Sequence, residues 1–148
     1  MPEELLKKFV AWLKLKVRLD CKDEKLIPTF KTGEVWWVSI GMNIGHEQYG
    51  KHDNFERPAL IIRAFNRHMF WAIPMTSQVK DTKYHMPFKY RKYSGERDTN
   101  GTLVFEEKDG NIIISQLKTM SSKRLLRKVG VVDKDILIGL RKKVRSFI

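Results

Sequence analysis

A chain of 148 residues is long enough for one domain with a hydrophobic core and short for two. Its 42% hydrophobic content excludes a disordered chain, and 29 Lys+Arg against 17 Asp+Glu give a net charge of +12, favouring phosphate backbones as partners. The single cysteine, Cys21, excludes an internal disulfide, and no run approaches the ~20 apolar residues a membrane span needs.

Residues 3–19 (EELLKKFVAWLKLKVRL) have helical periodicity, with Leu6, Val10, Leu13 and Val17 in one stripe and Leu5, Phe9 and Trp12 beside it. Glu3 and Glu4 in the first turn suit the helix dipole. Packing on the body of the protein or on a partner subunit is the commoner use of such a stripe; a membrane surface is the other. Lys7, Lys8, Lys14 and Lys16 interrupt any secretory apolar region, so a cytoplasmic protein is expected. Residues 20–32 (DCKDEKLIPTFKT) are polar, contain a proline and read as a connector.

After Gly33 the chain turns to short segments rich in β-branched and aromatic residues: 34–40, 58–64, 69–75, 86–91, 102–107 and 111–116. Asn100-Gly101 precedes one of them, and Asp109-Gly110 between two others is the better hairpin signal. Residues 121–128 (SSKRLLRK) have helical character. Asp133 is placed to cap a final helix over 134–147, with Ile136, Leu137, Leu140 and Val144 on its inner face. The expected fold is mainly β, a small barrel with a helix at each end.

Familiar enzyme signatures are missing. No phosphate-cradling glycine loop is present, and His46, His52, His68 and His85 are scattered, so no metal and no cofactor are expected. Polar residues beside strand ends remain. A Gly-punctuated loop, GMNIGHEQYGK (41–51), carries His46, Glu47 and Gln48 and leads to Arg57-Pro58, where the proline forces Arg57 into extended backbone. A guanidinium there can grip a phosphate through two donors. Thr76 and Ser77 follow the strand MFWAIPM and can direct hydroxyls into a cleft. Read structurally, all of these are turn residues and a surface ion pair.

At these positions the sequence resembles the MazF/PemK toxin family. GEVWWVSI followed by GHEQYGK is similar to the family's opening strand and loop, RPALII (57–62) to its R-P strand, IPMTSQ (73–78) to its T-S strand end, and ISQLKTMSSKRLLRKVGVV (114–132) to its late segment. The resemblance runs from about Thr32 to the C-terminus, leaving 1–31 as an added helical extension and 32–148 as the toxin domain. It implies an SH3-like barrel that forms a homodimer, and sequence-selective, metal-independent cleavage of single-stranded RNA to 2′,3′-cyclic phosphate and 5′-hydroxyl ends. It implies Arg57 and Thr76 as the catalytic pair, with Glu47 and Gln48 near the scissile phosphate. It also implies an acidic antitoxin, with which DNA binding would come. The 49–56 segment is longer than usual, and Lys118 stands where an arginine is common.

In such a reaction Arg57 would stabilise the phosphorane and Thr76 would hold the phosphate in register. Glu47 is the first choice of general base and His46 the second. Gln48, Ser77, Lys80, Lys83, Lys89 and Arg91, with Lys92, would line an RNA groove, and Tyr84, Tyr90 and Tyr93 would stack on bases. Alternatively the lysines are a solvated face and the tyrosines pack into the barrel. Two rival functions fit the same fold: a CcdB-like toxin that binds gyrase, and a non-catalytic RNA-binding barrel.

Overall fold

The computed structural model describes residues 2–78, 80 and 82–148. Helix α1 (Glu3–Asp20) is followed by strands β1 (Glu34–Ser39), β2 (Glu56–Ala64), β3 (Met69–Pro74), β4 (His85–Arg97) and β5 (Leu103–Ile113). Strands β6 (Lys118–Ser121) and β7 (Leu125–Val131) then lead to helix α2 (Lys134–Arg145). The fold is mainly β with a helix at each end, as the pattern of short strands predicts.

All strands join one antiparallel sheet in the order β5-β4-β7-β1-β2-β3-β6. No ladder closes the sheet among the described residues. Among the described residues, the bridge Met75↔Ile112 and the Thr76 N–H, which donates to the Asn111 carbonyl at 2.9 Å, tie the end of β3 to β5.

Strands β1 to β3 carry unbroken apolar runs because both of their faces are buried. On one face Val35, Leu60, Ile62 and Ile73 meet Phe88 and Ile112, and α2 closes this layer with Leu140 and Val144. On the other, Trp36, Val38, Ile61, Phe70 and Ala72 pack with Met120 and Leu125. The register divides the two sets, pairing Val35 with Leu60 and Trp36 with Ala59.

Four expectations need correction. Asp109-Gly110 is not a turn: both residues lie inside β5, opposite Lys89 and Phe88. Glycine suits the close packing there, since a Cβ on Gly110 would stand 2.8 Å from Met75 Cε and 2.9 Å from Phe88 Cζ and push one of them aside. The hairpin turns instead at Asp98–Thr102, where the Asp98 carboxylate accepts from the Asn100 and Thr102 N–H groups at 2.9 Å each and Gly101 has φ +78°. Residues 121–128 are not helical beyond one turn at Ser122–Arg124, because Leu125 onward pairs with β1 and buries Leu125 and Val129. Asp133 precedes α2 but makes no capping bond with its side chain; its carboxylate pairs with Arg91 Nε at 3.1 Å.

The fourth correction concerns α1. Its stripe of Leu6, Val10, Leu13 and Val17 is exposed, and Trp12 is the one buried residue of the helix. The Trp12 ring lies on Gly41, whose φ is +94° and on which a Cβ would stand 2.3 Å from Trp12 Cζ2. Phe55 packs beside it at 5.7 Å between ring centroids, and the Arg124 guanidinium sits 5.7 Å from the ring. Among the described residues no helix is long and apolar enough to cross a membrane.

Candidate active site

The loop between β1 and β2 folds back on itself. Ile40 and Gly41 N–H groups donate to the Phe55 carbonyl at 3.0 and 3.1 Å, Gly50 N–H donates to the Gly41 carbonyl at 2.8 Å, and Lys51 and Glu56 exchange two bonds at 2.9 Å. A Cβ on Gly50 would collide with the Phe55 carbonyl at 1.7 Å, so no other residue fits this crossing. Inside the loop, Asn43 Nδ2 donates to the Gln48 carbonyl at 2.6 Å, and Glu47 Oε2 accepts from the Ile44 N–H at 3.2 Å.

Arg57 is extended in β2, as its proline neighbour requires, with Val38 opposite it on β1. Its Nε donates to the Tyr49 carbonyl at 2.9 Å and its Nη1 to the Met75 carbonyl at 3.4 Å. These bonds fix the plane of the guanidinium and leave Nη2 uncommitted among the described residues. Half-burial lowers the Arg57 pKa from the ordinary arginine value, with Tyr49 opposing.

The β2–β3 register pairs Ala59 with Pro74, and the Met75 N–H donates to the Pro58 carbonyl at 2.8 Å. The ladder ends there, and Thr76 follows Met75, whose carbonyl holds Arg57 Nη1. Thr76 is held at both ends: its N–H bonds Asn111, and its Oγ1 accepts from the Gln78 N–H at 3.2 Å. The hydroxyl proton stays available to an external acceptor.

The structure adds two cations to this end of the barrel. Lys118 and Arg124 are both partly buried. Arg124 Nη1 donates to the Ser39 and Ile40 carbonyls at 2.9 and 3.3 Å, and burial lowers its pKa. Burial also lowers the Lys118 pKa, with the Arg124 charge adding to that and the Glu47 carboxylate opposing it. Gln116, which the sequence did not single out, ties the loop down: Gln48 N–H donates to its Oε1 at 3.3 Å and its Nε2 donates to the His46 carbonyl at 3.2 Å. His46 and Glu47 are exposed and Gln48 is half-buried.

Other expected binding residues divide. Ser77, Lys80 and Lys83 are exposed on the segment that follows Thr76, with Lys83 Nζ 5.0 Å from the Tyr84 ring. Lys89 and Arg91 are not brought to Arg57. Arg91 pairs with Val131, itself opposite Glu34 at the start of β1, whereas Arg57 lies opposite Val38 near its end. Lys89 Nζ bonds Asp109 at 3.1 Å and Glu107 at 3.3 Å, hydrogen bonds that raise its pKa. Lys92 sits beside Arg91 in the same strand, opposite Gly130. Tyr90 packs on Phe88 at 5.8 Å and Tyr93 on Phe105 at 4.7 Å, while Tyr84 is exposed. Among the described residues, no three His, Cys, Asp or Glu side chains converge to hold a metal ion.

Comparison with known proteins places this geometry. The crystal structure of MazF from Deinococcus radiodurans has a similar fold, with a TM-score of 0.50 and 18% identity, covering 81% of this chain and 96% of that one. The Mycobacterium tuberculosis toxin MazF-mt6 superposes with a TM-score of 0.49 and 12% identity, covering 76% and 93%. No curated protein sequence matches significantly. A family model described as "PemK-like, MazF-like toxin of type II toxin-antitoxin system" matches residues 31–148, most of the chain and every strand of the sheet. The chain belongs to the PemK-like, MazF-like toxin family of type II toxin–antitoxin systems.

Proposed function

We propose that this toxin is a metal-independent endoribonuclease that cuts single-stranded RNA in the cytoplasm by attack of a 2′-hydroxyl on the adjacent phosphorus. The observation that carries the reading is the Arg57 guanidinium anchored on the Tyr49 and Met75 carbonyls, the second of them one residue before Thr76. A fixed, permanently charged fork is suited to two non-bridging oxygens, and the charge develops there in the transition state. Thr76 donates its hydroxyl to the same phosphate. Glu47 takes the 2′-hydroxyl proton as the P–O bond forms, with His46 as the second choice. Lys118, partly buried and lowered in pKa by that burial, protonates the leaving 5′-oxygen as the other P–O bond breaks. The products are a 2′,3′-cyclic phosphate and a 5′-hydroxyl.

The same reading takes the chain as a homodimer held in check by an acidic antitoxin, for which the +12 net charge is complementary. It also takes residues 1–31 as an extension added to a toxin domain over 32–148. The exposed stripe of α1, which shares one buried residue with the barrel, supports that division.

The test is incubation of the purified protein with a long single-stranded RNA in EDTA, beside Arg57→Ala and Thr76→Ala. Discrete fragments from the wild type alone, ending in cyclic phosphate, are expected. A rate loss of about 10²-fold or more in each variant fits removal of a donor to the developing charge. Intact RNA with binding retained would replace this reading with a non-catalytic RNA-binding barrel, and inhibition of gyrase supercoiling would replace it with a gyrase toxin.

A further inference from the structure

Between the first half of α1 and the β1–β2 loop runs a cleft of about 920 Å³, within the range of small-ligand sites. Leu5 and Phe9 of α1 form one wall, and Ile44 and Tyr49 of the loop form the other. All four are exposed, whereas Phe55 beneath them is buried and rests on Trp12. Lys8 and Lys51 stand on the rim, and neither makes an ion pair among the described residues. Lys7 is engaged by Glu3 and Glu4 at 3.4 Å, so the carboxylate left facing the cleft is Asp53.

The cleft is continuous with the candidate active site through one residue. Tyr49 lines it with its side chain and holds Arg57 Nε with its carbonyl at 2.9 Å. We infer that the cleft is a nucleotide subsite for RNA flanking the cut, with Phe9 and Tyr49 stacking on a base and Lys8 and Lys51 meeting the backbone. This rests on the ribonuclease reading for the identity of the strand.

Two features favour a nucleotide over a peptide. The backbone groups of the loop are spent internally, between Gly41 and Gly50, Gly41 and Phe55, and Lys51 and Glu56, so no strand edge is offered for β-pairing. What the cleft does offer is rings and free cations, the pairing that recognises single-stranded nucleic acid. One wall of it comes from α1, which lies outside the family match at 31–148. The subsite is therefore a property of this chain and not of the shared domain.

Two measurements on the full chain test it. The first is affinity for a fluorescent 2′-O-methyl RNA oligonucleotide of randomised sequence, which internal attack cannot cut, for wild type and for Phe9→Ala combined with Lys8→Ala. Both side chains are exposed, so the fold should be kept, and circular dichroism checks this. Binding about five-fold weaker or more is expected, the loss of one stacked base. The second is photo-cross-linking of a 5-bromouridine transcript, with adducts expected within residues 4–11 or 42–55. Unchanged affinity with adducts elsewhere would overturn the subsite, and so would unchanged RNA affinity with loss of binding to the acidic antitoxin. If wild type cuts RNA but the variant binds as well as wild type, the subsite fails and the ribonuclease reading stands. If RNA cross-links in the cleft yet is never cut, the reverse holds.

Discussion

Lys118 and Arg124 bring two positive charges into a partly buried corner, and the amine is the one able to respond. Burial and the neighbouring guanidinium both favour the neutral amine, so Lys118 loses its proton below the ordinary lysine value of about 10.4. An acid must be protonated to act, so activity falls as pH rises through the lowered pKa. The alkaline limb of kcat/KM, which reports the free enzyme, should therefore lie below pH ~10.4. In Lys118→Arg the charge persists to higher pH, and that limb should move upward while the rate falls. An identical limb in both proteins would remove Lys118 from the proton chemistry.

At the scale of elements, the Trp12 ring joins α1 to the β1–β2 loop through Gly41 and Phe55. Gly41→Ala forces a side chain into left-handed backbone and against the Trp12 ring. A loss of about 1–3 kcal/mol is expected from backbone strain alone, read from the urea midpoint, with a further loss from displaced packing. In a Trp12→Ala background only the backbone part should remain, so the two losses should not add. Strict additivity would mean that Gly41 and Trp12 do not share a contact in solution.

What could be read in advance follows the same distinction between local and distant. Strands β1 to β3 were visible because burial on both faces writes a continuous apolar run into the sequence. Arg57 and Thr76 were visible because each sits at a marked strand end, one before a proline and one after an apolar run. Strand β7 was hidden, since LLRK suits a helix until pairing with β1 overrides it. Gln116 and Arg124 were hidden for a related reason: their partners Gln48 and Ser39 lie 68 and 85 residues away. The orientation of α1 was hidden as well. A stripe of four aliphatic residues outweighs one tryptophan in any periodicity, but only the tryptophan meets a glycine flat enough to receive it.

For the whole molecule, a net charge of +12 would make the proposed RNA binding an ion-exchange process. Log affinity should fall linearly with log salt, with a slope of about −0.7 per phosphate neutralised on a single strand. Phe9→Ala alone should weaken binding without changing this slope, whereas Lys8→Ala should make it shallower. A slope that never varies among lysine variants would argue that binding is not carried by the charged surface.

The shallow docking of α1 also sets how the molecule breathes. A helix of 18 residues that buries only Trp12, with Leu15 and Leu19 half-buried and its Asp20 carbonyl bonded by Lys123, has few contacts to lose, so it can detach while both cores of the sheet remain intact. Amide exchange should therefore be fast along Glu3–Asp20 and slow in β1 to β3, with the two rates responding differently to denaturant. Release of the helix would uncover Gly41 and Phe55 and free the hinge of the loop that holds Arg57. The toxin would then carry a latch whose strength is independent of its overall stability, open to any binder that prefers the detached helix.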